Sequence, residues 1–219
     1  MHISEGFLPL AHSALWTAAA APFVLDSARH VRRVCSGQRR FELAAAGGIL
    51  LLLTALKIPS VAGSSSHPTG IALAAILFGP RAVPVLCVVV LVLQALVLAH
   101  GGLTTLGANL FSLGIAGAFV ASWLYRGLKA VGIPVYGACW AAAAVSSVAV
   151  YGVTSLQLAL AFPDPGSGVS GAAMKFAAVF AWTQIPIAIT EGFLTSAALK
   201  LLARSRADAG LPESVGVPG

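Results

Sequence analysis

The sequence has 219 residues, 58% of them hydrophobic and only 9% charged, against about a quarter charged in an ordinary soluble domain. With a mean hydropathy of +0.91, such a chain cannot cover its own surface with polar groups, which excludes a water-soluble globule and makes a bilayer its solvent. In a chain of this kind the net charge of +6 is a topology signal, not a footprint for nucleic acid.

The long apolar runs do not alternate in polarity with period two, so the spans are helices and not barrel strands. Seven segments follow in chain order, near Leu8–Asp26, Leu43–Leu56, Gly70–Phe78, Val83–Ala99, Leu106–Leu124, Val135–Phe162 and Ala172–Leu202. The expected fold is all-α: one polytopic membrane bundle of about seven transmembrane helices. The third segment is too short to cross a bilayer alone at ~1.5 Å per residue. It reads as a short helix continued by irregular chain, which is tolerated only where protein encloses it. The sixth and seventh exceed one crossing and imply tilt, a kink or extension beyond the bilayer; Pro186 is the expected kink in the last. Residues 1–206 form the membrane unit, and 207–219, less apolar and containing Gly and Pro, form a mobile tail.

Basic residues set the orientation. If the N-terminus lies outside and every segment crosses, all Lys and Arg except Lys57 and Lys175 fall on inner stretches, the largest group being Arg29, Arg32, Arg33, Arg39 and Arg40. This asymmetry places the N-terminus outside and the C-terminus in the cytoplasm, and it requires the short third segment to cross. The first residues lack a basic n-region and a convincing cleavage site, so Met1 is expected to remain in place. Cys35, Cys87 and Cys139 are isolated in sequence and read as small buried hydrophobes.

Topology also sorts the five histidines. His2, His67 and His100 fall at the outer face, His12 inside the first segment, and His30 among the inner arginines. The Met1 amine, the His2 amide and the His2 Nδ1 can form fused five- and six-membered chelate rings on one ion. Deprotonating the amide calls for Ni(II), Cu(II) or, less readily, Co(II), and a second imidazole would complete a planar nitrogen set. His67 lies in Gly63-Ser-Ser-Ser-His-Pro-Thr-Gly70, a small-residue loop in which hydroxyls such as that of Ser66 could orient the imidazole. The loop from Gly101 to Asn109, with Thr104, could close over the site as a lid, and His100 at its edge is an alternative ligand or a lid residue. Gln94, Gln157, Gln184 and Glu191, embedded in apolar segments, need partners inside the bundle. The GxGxxG string at 166–171 follows no strand and is discarded as a dinucleotide site. No Walker A loop, HExxH or GxSxG is present, so energy for uphill transport would have to come from partners or an ion gradient.

Met1-His-Ile-Ser-Glu-Gly-Phe-Leu8, Ser60-Val-Ala-Gly-Ser-Ser-Ser-His-Pro-Thr-Gly70 and Gly102-Leu-Thr-Thr-Leu-Gly-Ala-Asn109 resemble the CbiM/NikM family. Its members are cobalt- and nickel-binding substrate subunits of energy-coupling-factor transporters. The resemblance covers the chain to about Leu124, and the later segments match in character. It implies a membrane subunit of seven helices, binding Co(II) or Ni(II) through Met1, His2 and His67 as cargo, with no cofactor. It also implies a transmembrane coupling subunit, cytoplasmic ATPase subunits and a small accessory membrane subunit as partners, in a prokaryotic cell membrane. The form of the His67 loop and the lack of a fused extension are closer to CbiM, hence to cobalt for cobalamin synthesis, with nickel the alternative. Two other classes stay open: an intramembrane enzyme using Glu191 and a histidine, and a proton-coupled transporter that needs no ATPase.

Overall fold

The computed structural model describes residues 2–55, 58–59 and 64–208. It begins with a short strand β1 (His2–Ile3), followed by α1 (Leu10–Val34), α2 (Gln38–Ala55), β2 (Ile58–Pro59) and β3 (Ser64–Ser66). Then come α3 (Ile71–Phe78), α4 (Val83–Val97), α5 (Leu106–Leu110), a π-helical stretch at Phe111–Gly117, α6 (Ala118–Ala130), α7 (Val135–Ala161) and α8 (Gly168–Asp208). α5, the π-helical stretch and α6 run on as one rod, Leu106–Ala130, so the described residues form seven helical rods.

Turn chemistry marks several ends. Pro9 and Pro134 immediately precede α1 and α7, and Pro84 lies in the first turn of α4, where a missing N–H costs nothing. Arg32 and Arg33 occupy the last turn of α1 and complement its dipole. α8 runs continuously through Pro186.

Among the described residues, three rods are long and apolar enough to cross a membrane: Leu106–Ala130, Val135–Ala161 and Gly168–Ser205. α1 and α2, with 25 and 18 residues, have sufficient length but are diluted by polar residues such as His12, Ser13 and Thr17 in α1 and Arg39, Arg40 and Glu42 in α2. α4 is a shorter apolar helix of 15 residues. By length and composition alone, three of the seven rods in the described residues qualify as spans. The eight residues of α3 reach only about 12 Å. Ile71 to Ile76 are all buried, and α3 packs chiefly on α6 and α7, so this short helix is enclosed by protein.

The outward surface carries large apolar side chains, among them Phe41, Leu52, Met174 and Trp182. The interior is built from small ones. Ala138, Cys139, Ala142 and Ala143 on α7 are fully buried, and α7 makes its largest contact with α8, as small residues allow close helix approach. All three cysteines are buried and unbridged. At the end bearing the arginines, the Arg81 guanidinium grips Asp26 of α1 with two hydrogen bonds of 2.9 and 2.6 Å. At the opposite end α5 presses on α1, because Gly107 has no Cβ: one added there would strike the Thr17 main chain. Gly107→Ala should therefore destabilise the protein by about 1–3 kcal/mol, read as a lower thermal midpoint in detergent. An unchanged midpoint would contradict this close approach.

Candidate metal centre

The site is assembled by a three-stranded antiparallel sheet in the order β1-β3-β2. His2 pairs with Ser65 and Ile3 with Ser64, while β2 pairs with the other edge of β3. This brings the start of the chain against the loop that carries His67. Met1 lies outside the described residues.

Several contacts hold β1 in place. Asn109 of α5 clamps the Ile3 peptide unit: Ile3 N–H donates to Asn109 Oδ1 at 2.7 Å, and Asn109 Nδ2 donates to Ile3 O at 3.0 Å. The Thr105 hydroxyl donates to the same carbonyl at 2.8 Å. The Ile3 side chain is 0% exposed and packs with Leu8, Ala108, Leu158 and Phe180, which contributes about 1.5–3 kcal/mol. Further on, Glu5 N–H donates to Gly101 O, Gly6 N–H to the Thr104 hydroxyl, and Thr104 N–H to the Glu5 carboxylate. The Thr104 hydrogen bonds hold the Glu5 carboxyl below its usual range. The stability this contributes is therefore present at neutral pH and lost as pH falls through that lowered value. Gly101, at φ +75°, lies over His2; a Cβ there would meet His2 Cδ2 and Asn109 Nδ2 at 3.3 Å.

His2, His67 and His100 are 1%, 1% and 2% exposed. One nitrogen from each lies within 4.8 Å of the others. The His2 and His67 rings stack at 4.6 Å, and His100 stands edge-on to both. His67 Nδ1 lies 2.9 Å from Pro68 O. A carbonyl only accepts, so the proton sits on Nδ1 and His67 Nε2 is bare. That bare nitrogen is 2.6 Å from His2 Nδ1. Two nitrogens each ~2.0–2.1 Å from one ion, at right angles, stand about 2.9 Å apart, so a small opening of this pair admits a transition metal. Burial, the largest influence on each ring, holds His2 and His67 well below the usual histidine range. Both are neutral at pH 7, the form a metal requires.

The other residues marked in the sequence have varied places. The Ser66 hydroxyl turns toward α8, where Gln184 donates to it and Thr183 lies 3.3 Å away. It is the Ser65 hydroxyl that meets a histidine, 2.6 Å from His100 Nε2. His12 bonds to Leu160 O and His30 lies near the end of α1, both apart from the cluster. The buried Glu191 carboxylate accepts the Thr69 and Gly70 N–H groups and the Thr69 hydroxyl. It thereby ties the residues after His67 to α8. Sequence reading missed the roles of Glu5, Ser65 and Thr105. These pairings bridge up to 102 positions and leave no local pattern.

Asn109→Ala should release β1 without touching the histidines. Metal affinity should fall by about 10–100-fold, as for other groups that support ligands, measured by competitive titration; wild-type affinity would show that the clamp is dispensable.

A profile of the family described as "Cobalt uptake substrate-specific transmembrane region", CbiM, matches residues 2–209. A relative from Streptomyces coelicolor named "Cobalt transport protein CbiM" is 49% identical over 207 residues, covering 94% of this chain and 89% of that one. Proteins of the same name from Chlorobium limicola and Anoxybacillus flavithermus are 50% and 51% identical, each over 89% of this chain and 78% and 79% of theirs. Two crystal structures described as a transition metal transporter and a truncated one superimpose with TM-scores of 0.84 and 0.83. Each covers 94% of this chain and 94% and 99% of its own, at 22% and 24% identity, so they speak for the fold.

Proposed function

The chain belongs to the CbiM family of cobalt-uptake transmembrane regions, and from that premise we propose that it captures Co(II) at the outer membrane face for an ATP-driven energy-coupling-factor importer. It is a component of a metal transporter, not an enzyme. The observation that carries the reading is the buried approach of His2 Nδ1 to the bare His67 Nε2 at 2.6 Å. The Met1 amine and the His2 amide complete a four-nitrogen set around the cargo ion. Thr104, Asn109 and His100 support or cover it, whereas the Ser66 hydroxyl is held by Gln184 of α8.

The N-terminus faces outside and the C-terminus the cytoplasm. α1 runs about 37 Å from the site end toward the arginines at its far end, which agrees with the positive-inside rule. The protein sits in a prokaryotic cell membrane, where residues 1–206 form the embedded unit. ATP hydrolysis is assigned to cytoplasmic ATPase subunits, acting through a transmembrane coupling subunit and aided by a small accessory membrane subunit. The imported ion supplies cobalamin synthesis.

Affinity order alone favours Ni(II) over Co(II) at such a nitrogen set, so cobalt selection comes from geometry, closure or supply. Amine and amide must lose protons, and protonation of either imidazole opposes binding, so capture weakens as pH falls. One extra residue before Met1 should abolish high-affinity Co(II) binding, checked by metal content and competitive titration against the unextended chain. Undiminished binding would remove the amine and amide from the ligand set.

A further inference from the structure

His67 spends its one proton on Pro68 O through Nδ1, so it offers only a lone pair to His2 Nδ1. A neutral His2 ring also has one proton, and it has two nitrogens to satisfy. Its other nitrogen, Nε2, is buried and has no hydrogen-bond partner among the described residues. Gln94 Oε1 is in the same condition, on a side chain that is 0% exposed. His2 and Gln94 line one narrow cavity of about 10 Å³, with Thr54, Thr69 and Cys87.

The orientation of the Gln94 amide is fixed from behind. Thr54 on α2 donates its hydroxyl proton to Leu50 O and Leu51 O. Its oxygen can therefore only accept, and Gln94 Nε2 is the donor to it. The atom left for the His2 side of the cavity is Oε1, an acceptor.

Building on the metal-site reading above, we infer that Gln94 is the positioning residue for His2: its Oε1 accepts the imidazole Nε2–H across this cavity and so keeps Nδ1 bare for the ion. Without an ion the site is frustrated. A proton on Nδ1 satisfies His67 but sets the Nε2 lone pair against Oε1. A proton on Nε2 satisfies Gln94 but sets two nitrogen lone pairs 2.6 Å apart. A cation between Nδ1 and His67 Nε2 removes the conflict. The ring then loses a proton at Nδ1, gains one at Nε2 and stays neutral. Such partners on the far nitrogen commonly fix the tautomer of a metal-binding histidine.

The test is ¹⁵N-histidine NMR on the full chain in detergent, loaded with Ni(II), which is diamagnetic in a planar nitrogen field. Wild type should carry the His2 proton on Nε2, protected from solvent exchange. Gln94→Leu should bind Ni(II) about 10–100-fold more weakly and lose that protection, and Gln94→Glu, which keeps an acceptor, should restore both. Wild-type affinity with a protected Nε2–H in Gln94→Leu would overturn the inference. So would a loaded wild-type protein whose His2 proton sits on Nδ1, a readout that stands even if a variant fails to fold. Ni(II) bound with no change at His2 would overturn the metal-site reading and the inference with it.

Discussion

Residues near a chain terminus fray unless something ties them down, and fixing each backbone unit costs about 1–2 kcal/mol. The proposed metal cage draws on His2 and would depend on meeting that cost. Pairing of β1 with β3, burial of Ile3, and the grip of Asn109 and Thr105 on the Ile3 peptide unit together offset it. The stability of the bundle is thereby extended to its outermost strand. The same contacts help bury His2 and His67, and that burial holds both rings well below the usual histidine range.

The polar residues inside the bundle follow the same logic. An unpaired amide or carboxylate in a low-dielectric interior is costly, so each is spent on a link between a helix and a loop or neighbouring helix. Gln157 of α7 donates to Ala108 O beside Asn109. Gln184 of α8 holds Ser66, and Glu191 of the same helix holds Thr69 and Gly70. Gln94 of α4 bonds to Thr54 of α2 and borders the cavity beneath His2. The loops and strand that carry the histidines are therefore tied to α7 and α8 by buried hydrogen bonds.

Hydropathy located the seven helical rods of the described residues, closely at α3, α4 and α7, and misjudged the ends of others. The run ending at Asp26 continues to Val34 as α1, and α2 starts at Gln38, before its apolar stretch. A helix does not stop where its residues become charged, so polarity marks the membrane boundary better than the helix boundary. Charge and spacing placed His2, His67 and His100 on one face, and the structure gathers all three. The Gly101–Asn109 loop read as a lid is divided between two tasks: Gly101 covers His2, while Asn109 belongs to α5 and clamps β1. The tautomer set by Pro68 and the link from Thr54 through Gln94 are tertiary facts with no signature in spacing or period.

X-ray absorption on the Co(II)- or Ni(II)-loaded protein tests the central claim most directly, because it counts the donors around the ion. The account predicts a first shell of four nitrogens, with outer-shell scattering from two imidazole rings, those of His2 and His67. A shell containing sulfur or several oxygens, or scattering from a single imidazole, would contradict it.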